Sequence, residues 1–102
     1  MNQNDLDLLF KQKSSVLLDF YANWCAPCKK LSPVLDSLAK ELDFEIVKID
    51  IDENRELPVD YAITSIPHLI FVSAGSKIWE HRGFISSIQL KAKLLGSGVS
   101  AR

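Results

Sequence analysis

A chain of 102 residues has room for one core and little for a second. Its apolar fraction of 47% supports that core. Charged residues make up 25%, with 12 basic against 13 acidic and a net charge of −1. That balance argues against a disordered chain and gives no electrostatic footing for nucleic acid or an anionic membrane surface. One domain over residues 1–102 is expected, with a frayed tail at 97–102.

The opening Met1–Asp7 carries no basic segment and no apolar run, so it does not read as a signal peptide. No stretch approaches the ~20 apolar residues of a membrane span. A cytoplasmic setting is expected; a chain that began after a cleaved leader would look the same. Asn4 and Asp5 can cap a short helix over 5–12, with Leu6, Leu9 and Phe10 on one face. Ser15–Tyr21 follows, with the run Val-Leu-Leu-Asp-Phe, which suggests a strand buried on both faces. Asp19 is its one charged member.

From Cys25 to Glu41 the apolar residues Leu31, Val34, Leu35, Leu38, Ala39 and Leu42 fall on one stripe, the mark of an amphipathic helix. Pro33 lies inside it, removes a backbone donor and predicts a kink. Phe44–Ile51 is a second strand; strand–helix–strand order implies a right-handed crossover and parallel pairing. A short helical segment spans Glu53–Tyr61, disturbed by Pro58. His68–Ser73 and Lys77–Arg82, joined across Ala74-Gly75, read as an antiparallel hairpin. Trp79 and His81 on its second strand read as surface or edge residues. Ser86 with Gln89 is a capping signal for a last helix, which Gly96 terminates.

The two cysteines sit three apart, in Trp24-Cys25-Ala26-Pro27-Cys28. A secreted disulfide scaffold would carry more, at wider spacing. Two thiols cannot complete a structural zinc site, and His68 and His81 have no ligand spacing to them, so neither metal nor cofactor is expected. At the start of a helix, unpaired backbone N–H groups and the helix dipole favour a thiolate at the first cysteine. The second lies nearly one turn on, so both sulfurs can meet on one face. Pro27 lacks an N–H that the first turn would have left without a partner. The alternative is a pair of structural thiols or half of a zinc site.

The segment Asp19-Phe20-Tyr21-Ala22-Asn23-Trp24-Cys25-Ala26-Pro27-Cys28-Lys29 resembles the active-site segment of the thioredoxin family, whose redox motif has this context. The resemblance continues at Pro33, at Val47–Asp52, at Pro58 and Tyr61, at Ile66-Pro67, which resembles the family's cis-proline pair, and at Gly83. It covers about residues 5–95. Four departures stand out: Ala26 where Gly is usual, His68 where Thr is common, Arg82 where an apolar residue is usual, and no counterpart of the family's first strand.

The resemblance implies an α/β, thioredoxin-like fold: a mixed sheet of four strands in the order 44–51, 15–21, 68–73, 77–82, with helices on both faces. It implies a protein disulfide reductase. Cys25, the more exposed thiol, would attack a substrate disulfide and Cys28 would resolve the mixed disulfide. Asp19 would accept or relay the Cys28 proton, and Lys48 would pair with Asp19 and tune it. Trp24, Ala26, Pro27, Ser65, Ile66, Pro67 and Gly83 would form the substrate surface. The implied partners are disulfide-bearing proteins and a thioredoxin reductase as electron donor. The protein is expected to be a monomer. Two other readings remain at this level: a dedicated or exported thiol oxidoreductase, and a non-catalytic scaffold on the same fold.

Overall fold

A computed structural model describes residues 1–102. The elements in chain order are α1 (Gln3–Gln12), β1 (Ser15–Tyr21), α2 (Ala26–Glu41), β2 (Glu45–Asp50), α3 (Glu56–Asp60), β3 (His68–Ser73), β4 (Ser76–Arg82) and α4 (Ser87–Gly96). They build a four-stranded sheet in the order β2-β1-β3-β4. β1 runs parallel to β2 and antiparallel to β3, and β3 is antiparallel to β4. This is the mixed four-stranded sheet, in the strand order, that the resemblance implies.

Alternation along β1 sorts the core onto two sides of the sheet. Val16, Leu18 and Phe20 join Leu6 of α1, Leu57 of α3 and Val47 and Ile49 of β2. Leu17 faces the other way, onto Leu31, Leu35 and Leu38 of α2 and Leu90 and Leu94 of α4. The same alternation places Asp19 on the α2 side. A carboxylate therefore occupies a position where the pattern calls for a leucine.

Three local features differ from the sequence expectation. Asn2 caps α1, two residues before Asn4: its side chain accepts from the Asp5 N–H at 3.0 Å, and the Asp5 carboxylate accepts from the Asn2 N–H at 2.9 Å. In such a reciprocal box the acid belongs inside the first turn, so Asp5 cannot itself be the cap. Trp79 is half-buried. Its ring stacks on Phe71 with centroids 5.3 Å apart, and its indole N–H donates to Ser97 Oγ at 2.8 Å. β4 is an edge strand, but one of its faces is covered by α4 and the chain beyond it. The positive-φ glycine at the end of α4 is Gly98, at φ +92°, while Gly96 is still helical.

A fourth correction is the tail. Residues 97–102 fold back instead of fraying. Val99 is buried in the α2-side core. Asp43 N–H donates to Ser100 O at 2.8 Å, and Arg102 N–H to Glu41 O at 2.9 Å. The Arg102 guanidinium donates to Ala39 O at 2.6 Å and to Phe44 O at 3.0 Å. The end of α2 leaves carbonyls without helical partners, and Arg102 satisfies two of them, Ala39 O through its guanidinium and Glu41 O through its backbone N–H. Gly and Ser in the tail mark turns here, not disorder. No helix is long and apolar enough to cross a membrane.

A docked tail makes a measurable contribution. Val99→Ala should lower the unfolding free energy by about 1–2 kcal/mol, the usual scale for trimming a buried aliphatic side chain. Removing residues 99–102 should cost more. Urea titrations of the three proteins check this; equal midpoints would show that the tail contributes nothing.

Candidate active site

β1 ends at Tyr21, and four residues later the chain enters α2. Cys25 is the N-cap residue of that helix, with extended backbone at φ −89° and ψ 110°, and Pro27 lies in its first turn. Cys28 is then the third helical residue. It forms a disulfide with Cys25, the two Cα atoms 5.3 Å apart. Its backbone N–H also donates to Cys25 Sγ at 3.3 Å. One of the orphan donors of the helix start thus points at the Cys25 sulfur, as an N-cap side chain requires. In the disulfide the two cysteines are equally hidden, at 5% and 6% exposed, so exposure does not mark out Cys25 as expected. The cap turns its sulfur inward over the first turn. What distinguishes it is the N–H it accepts.

Asp19 is 4% exposed and its Oδ1 has no hydrogen-bond partner. Burial pushes its pKa up to about 6; the Lys48 ammonium pulls against that shift, and the Asp36 carboxylate adds to it. The expected Asp19–Lys48 pair is absent. The two residues are neighbours across β1 and β2. Lys48 Nζ nevertheless reaches α2, where it donates to Ser32 Oγ and Asp36 Oδ1, both at 2.9 Å. A strongly hydrated ammonium keeps its water by extending to the rim, where Asp36 is exposed. Ser32 and Asp36, one turn apart on α2, were not singled out from sequence; their i, i+4 spacing from Cys28 onward was the available signal.

Trp24 stands 68% exposed beside the disulfide, yet its ring is not free. The indole N–H donates to Asp52 Oδ2 at 2.8 Å, and the Asp52 N–H donates to Asp50 Oδ1 at 2.9 Å. Asp52 holds the tryptophan but escaped the sequence reading, because nothing in its spacing links it to residue 24. Trp24 lines a groove of about 330 Å³ with Ile51, Pro58, Ile63, Thr64, Ser65 and Ile66. The Ile66–Pro67 bond is cis. Ile66 packs against the cysteine pair. Pro67 is buried, and its carbonyl accepts from the Gly83 N–H at 2.7 Å. Gly83 holds φ +90°, a conformation that favours glycine. Ala26 and Pro27 are exposed between the cysteines.

His68 and Arg82 pair across β3 and β4. They face away from Asp19, on the opposite side of the sheet. His68 is fully buried with its Nε2 2.9 Å from Glu80 Oε1; Arg82 is exposed. No group of three or more His, Cys, Asp and Glu side chains lies close enough to hold a metal ion.

The redox pair at the helix start, the buried acid beneath α2 and the proline loop share one end of the sheet, and comparison with known proteins agrees with that geometry. The sequence profile of the thioredoxin family matches residues 2–95. The chain belongs to the thioredoxin family. It is 40% identical over 94 residues to thioredoxin of Mycoplasmoides gallisepticum, covering 91% of this chain and 94% of that one. It is 45% identical over 71 residues to thioredoxin of Bacillus subtilis, 68% of each chain. Among solved structures, a mutant thioredoxin from Halobacterium salinarum superposes with a TM-score of 0.89 at 35% identity, covering 94% of this chain and 85% of that one. The oxidised thioredoxin of Plasmodium falciparum gives 0.79 at 29% identity, covering 94% and 92%. With its Cys25–Cys28 pair, the protein is a dithiol–disulfide oxidoreductase of the thioredoxin type.

The raised pKa of Asp19 has a definite sign. Between about 6 and the ordinary value of 3.8 the folded protein holds a proton that the unfolded chain releases. Stability from this group therefore falls as pH rises through that window and is lowest above it. Asp19→Asn in the oxidised protein should then raise the unfolding free energy at pH 7.5, by up to roughly 3 kcal/mol. The gain should largely vanish at pH 4. Denaturant titrations at the two pH values check this; a gain independent of pH would remove the buried charge as its cause.

Proposed function

We propose that Cys25 is the nucleophile, Cys28 the resolving thiol and Asp19 the proton acceptor in a general protein-disulfide reductase. The observation that carries this reading is the hydrogen bond from the Cys28 N–H to Cys25 Sγ, at the cap of α2. It supplies a fixed donor for a Cys25 thiolate, which the helix dipole also favours. In the reaction, the Cys25 thiolate attacks one sulfur of a substrate disulfide, that S–S bond breaks, and the second substrate sulfur leaves as a thiolate that takes a proton. The Cys28 thiolate then attacks Cys25 Sγ, releases the first substrate sulfur and closes the Cys25–Cys28 disulfide. The substrate gains two electrons and two protons; the protein supplies both electrons and the Cys28 proton, and the other proton comes from solvent, which took it when Cys25 became a thiolate.

Cys28 must lose its proton for the second step. Asp19 lies on the α2 side of β1, under a charge set by Lys48 and Asp36, and its pKa of about 6 suits a base at neutral pH. Lys48 acts on it through space, held by Ser32 and Asp36. Trp24, Ala26, Pro27, Ile66 and Gly83 form the substrate surface, and buried Pro67 supports it from beneath. The backbone N–H and C=O groups of Ser65 and Ile66 make no backbone hydrogen bond within the chain, which leaves them for an extended substrate strand. A thioredoxin reductase would return the electrons. Both cysteines belong to the redox pair and none is spent on a structural bridge, which supports work in a reducing compartment such as the cytoplasm. Exposed Lys48 on β2, one of the two edge strands of the sheet, supports a monomer.

An insulin-reduction assay tests the assignment. Cys25→Ser should abolish turnover, while Cys28→Ser should accumulate a mixed disulfide with substrate, visible by mass spectrometry under non-reducing conditions. Trapping by Cys25→Ser instead would exchange the two roles. Asp19→Asn should slow release of the mixed disulfide more than its formation, by roughly tenfold or more.

A further inference from the structure

A second groove, of about 390 Å³, opens between Ala26, Pro27, Lys30 and Phe84. It shares no residue with the groove at Trp24. Ala26 and Pro27 lie between the two cysteines, so this groove begins at the redox pair itself. Phe84 forms its far wall with 47% of its surface exposed. Scattered exposed apolar residues are ordinary, but this one is held in place. The Gly83 N–H before it is tied to Pro67 O at 2.7 Å. Its own carbonyl lies 3.2 Å from His81 Nε2, and Ile85 after it is buried in the core. The backbone is thus fixed on either side of an aromatic ring left in water. Lys30, at the rim, is exposed and enters no ion pair.

We infer that this groove is a specificity subsite: it takes an aromatic or large apolar side chain of a substrate segment lying across Cys25–Cys28, with an acidic neighbour of that side chain meeting Lys30. The inference rests on the reductase reading above and adds to it a preference among disulfide-bearing proteins. Phe84, Pro27 and the Ala26 methyl group supply the apolar walls, and burial of a ring against them replaces water on both partners. Lys30 is the one charged residue of the lining and is positive, so an adjoining carboxylate complements it and an adjoining lysine is repelled. Ala26, which stands where the family usually has Gly, thereby gains a purpose: its Cβ raises the wall that faces Phe84. The Ser65–Ile66 backbone aligns the substrate strand, and this groove reads one of its side chains.

Synthetic peptides that each contain one disulfide test the subsite. Three carry Phe-Glu, Phe-Lys or Ala-Glu beside the first cysteine, in two sets with the pair before or after it. The reduced protein should react with the Phe-Glu peptide about fivefold faster than with Ala-Glu, and about two- to fivefold faster than with Phe-Lys, in at least one set. Phe84→Ala should bring the first ratio near unity, and Phe84→Leu should retain most of it. Lys30→Glu should invert the second ratio. Both residues are exposed, and circular dichroism of each variant checks that the fold is kept. Equal rates for all three peptides in both sets overturn the subsite while leaving the reductase reading intact. Ratios unchanged in the variants overturn the assignment to Phe84 and Lys30. Failure to reduce either insulin or any peptide overturns the reductase reading and the subsite with it.

Discussion

Everything at the redox end depends on β1 being buried on both faces. Hydrogen-bonded to β2 on one side and β3 on the other, it is a fixed rail through the middle of the protein. Its last residues deliver the chain to Ala22, whose carbonyl accepts from the Cys25 N–H at 3.2 Å. That bond and the start of α2 determine where the Cys25 sulfur sits. Leu31, Leu35 and Leu38 then press α2 onto the sheet, so the dipole that favours a thiolate has a fixed direction. Packing far from the sulfurs is therefore what sets their electrostatics.

The same burial creates the acid. A leucine at position 19 would extend the apolar face formed by Leu17, Leu69 and Phe71. The carboxylate placed there loses its water and gains no direct partner, and a raised pKa is the result. Asp36, Ser32 and Lys48 form a small polar bridge from α2 to β2 above it. In that bridge Asp36 opposes Lys48: one carboxylate both anchors the lysine and offsets its charge. The balance keeps Asp19 a weaker acid than a direct ion pair would allow.

Much of this was legible in the residues. The run at 15–21, the stripe on α2 and the hairpin punctuation at Ala74-Gly75 each follow from local rules, and strand order followed from the family resemblance. Ala74 and Gly75 both adopt positive φ, as a tight turn between right-twisted strands requires. What escaped depends on long side chains and distant partners. The resemblance implies a pairing of Lys48 with Asp19, its neighbour across the strands, but four methylenes carry the ammonium to another element. Trp79 looked like an edge residue because sequence does not show that α4 crosses its face. The tail has the composition of a frayed end, and only the orphan carbonyls at the end of α2 explain why Arg102 docks. Asp52 and Trp24 are 28 positions apart, and no periodicity connects them.

The alternation in β1 has a consequence for how this chain can change over generations. Leu17 and Asp19 point to one side of the sheet, Leu18 and Phe20 to the other. A single-codon deletion in this stretch would exchange the sides, moving the acid under α1 and an apolar residue under α2. Core and proton acceptor would be lost in the same event. Variants that damage the chemistry by shifting this strand are thus removed as misfolded proteins before their activity is ever exposed to selection. Length can drift instead at the Ala74-Gly75 turn, which is exposed and tied to neither the redox pair nor the proline loop.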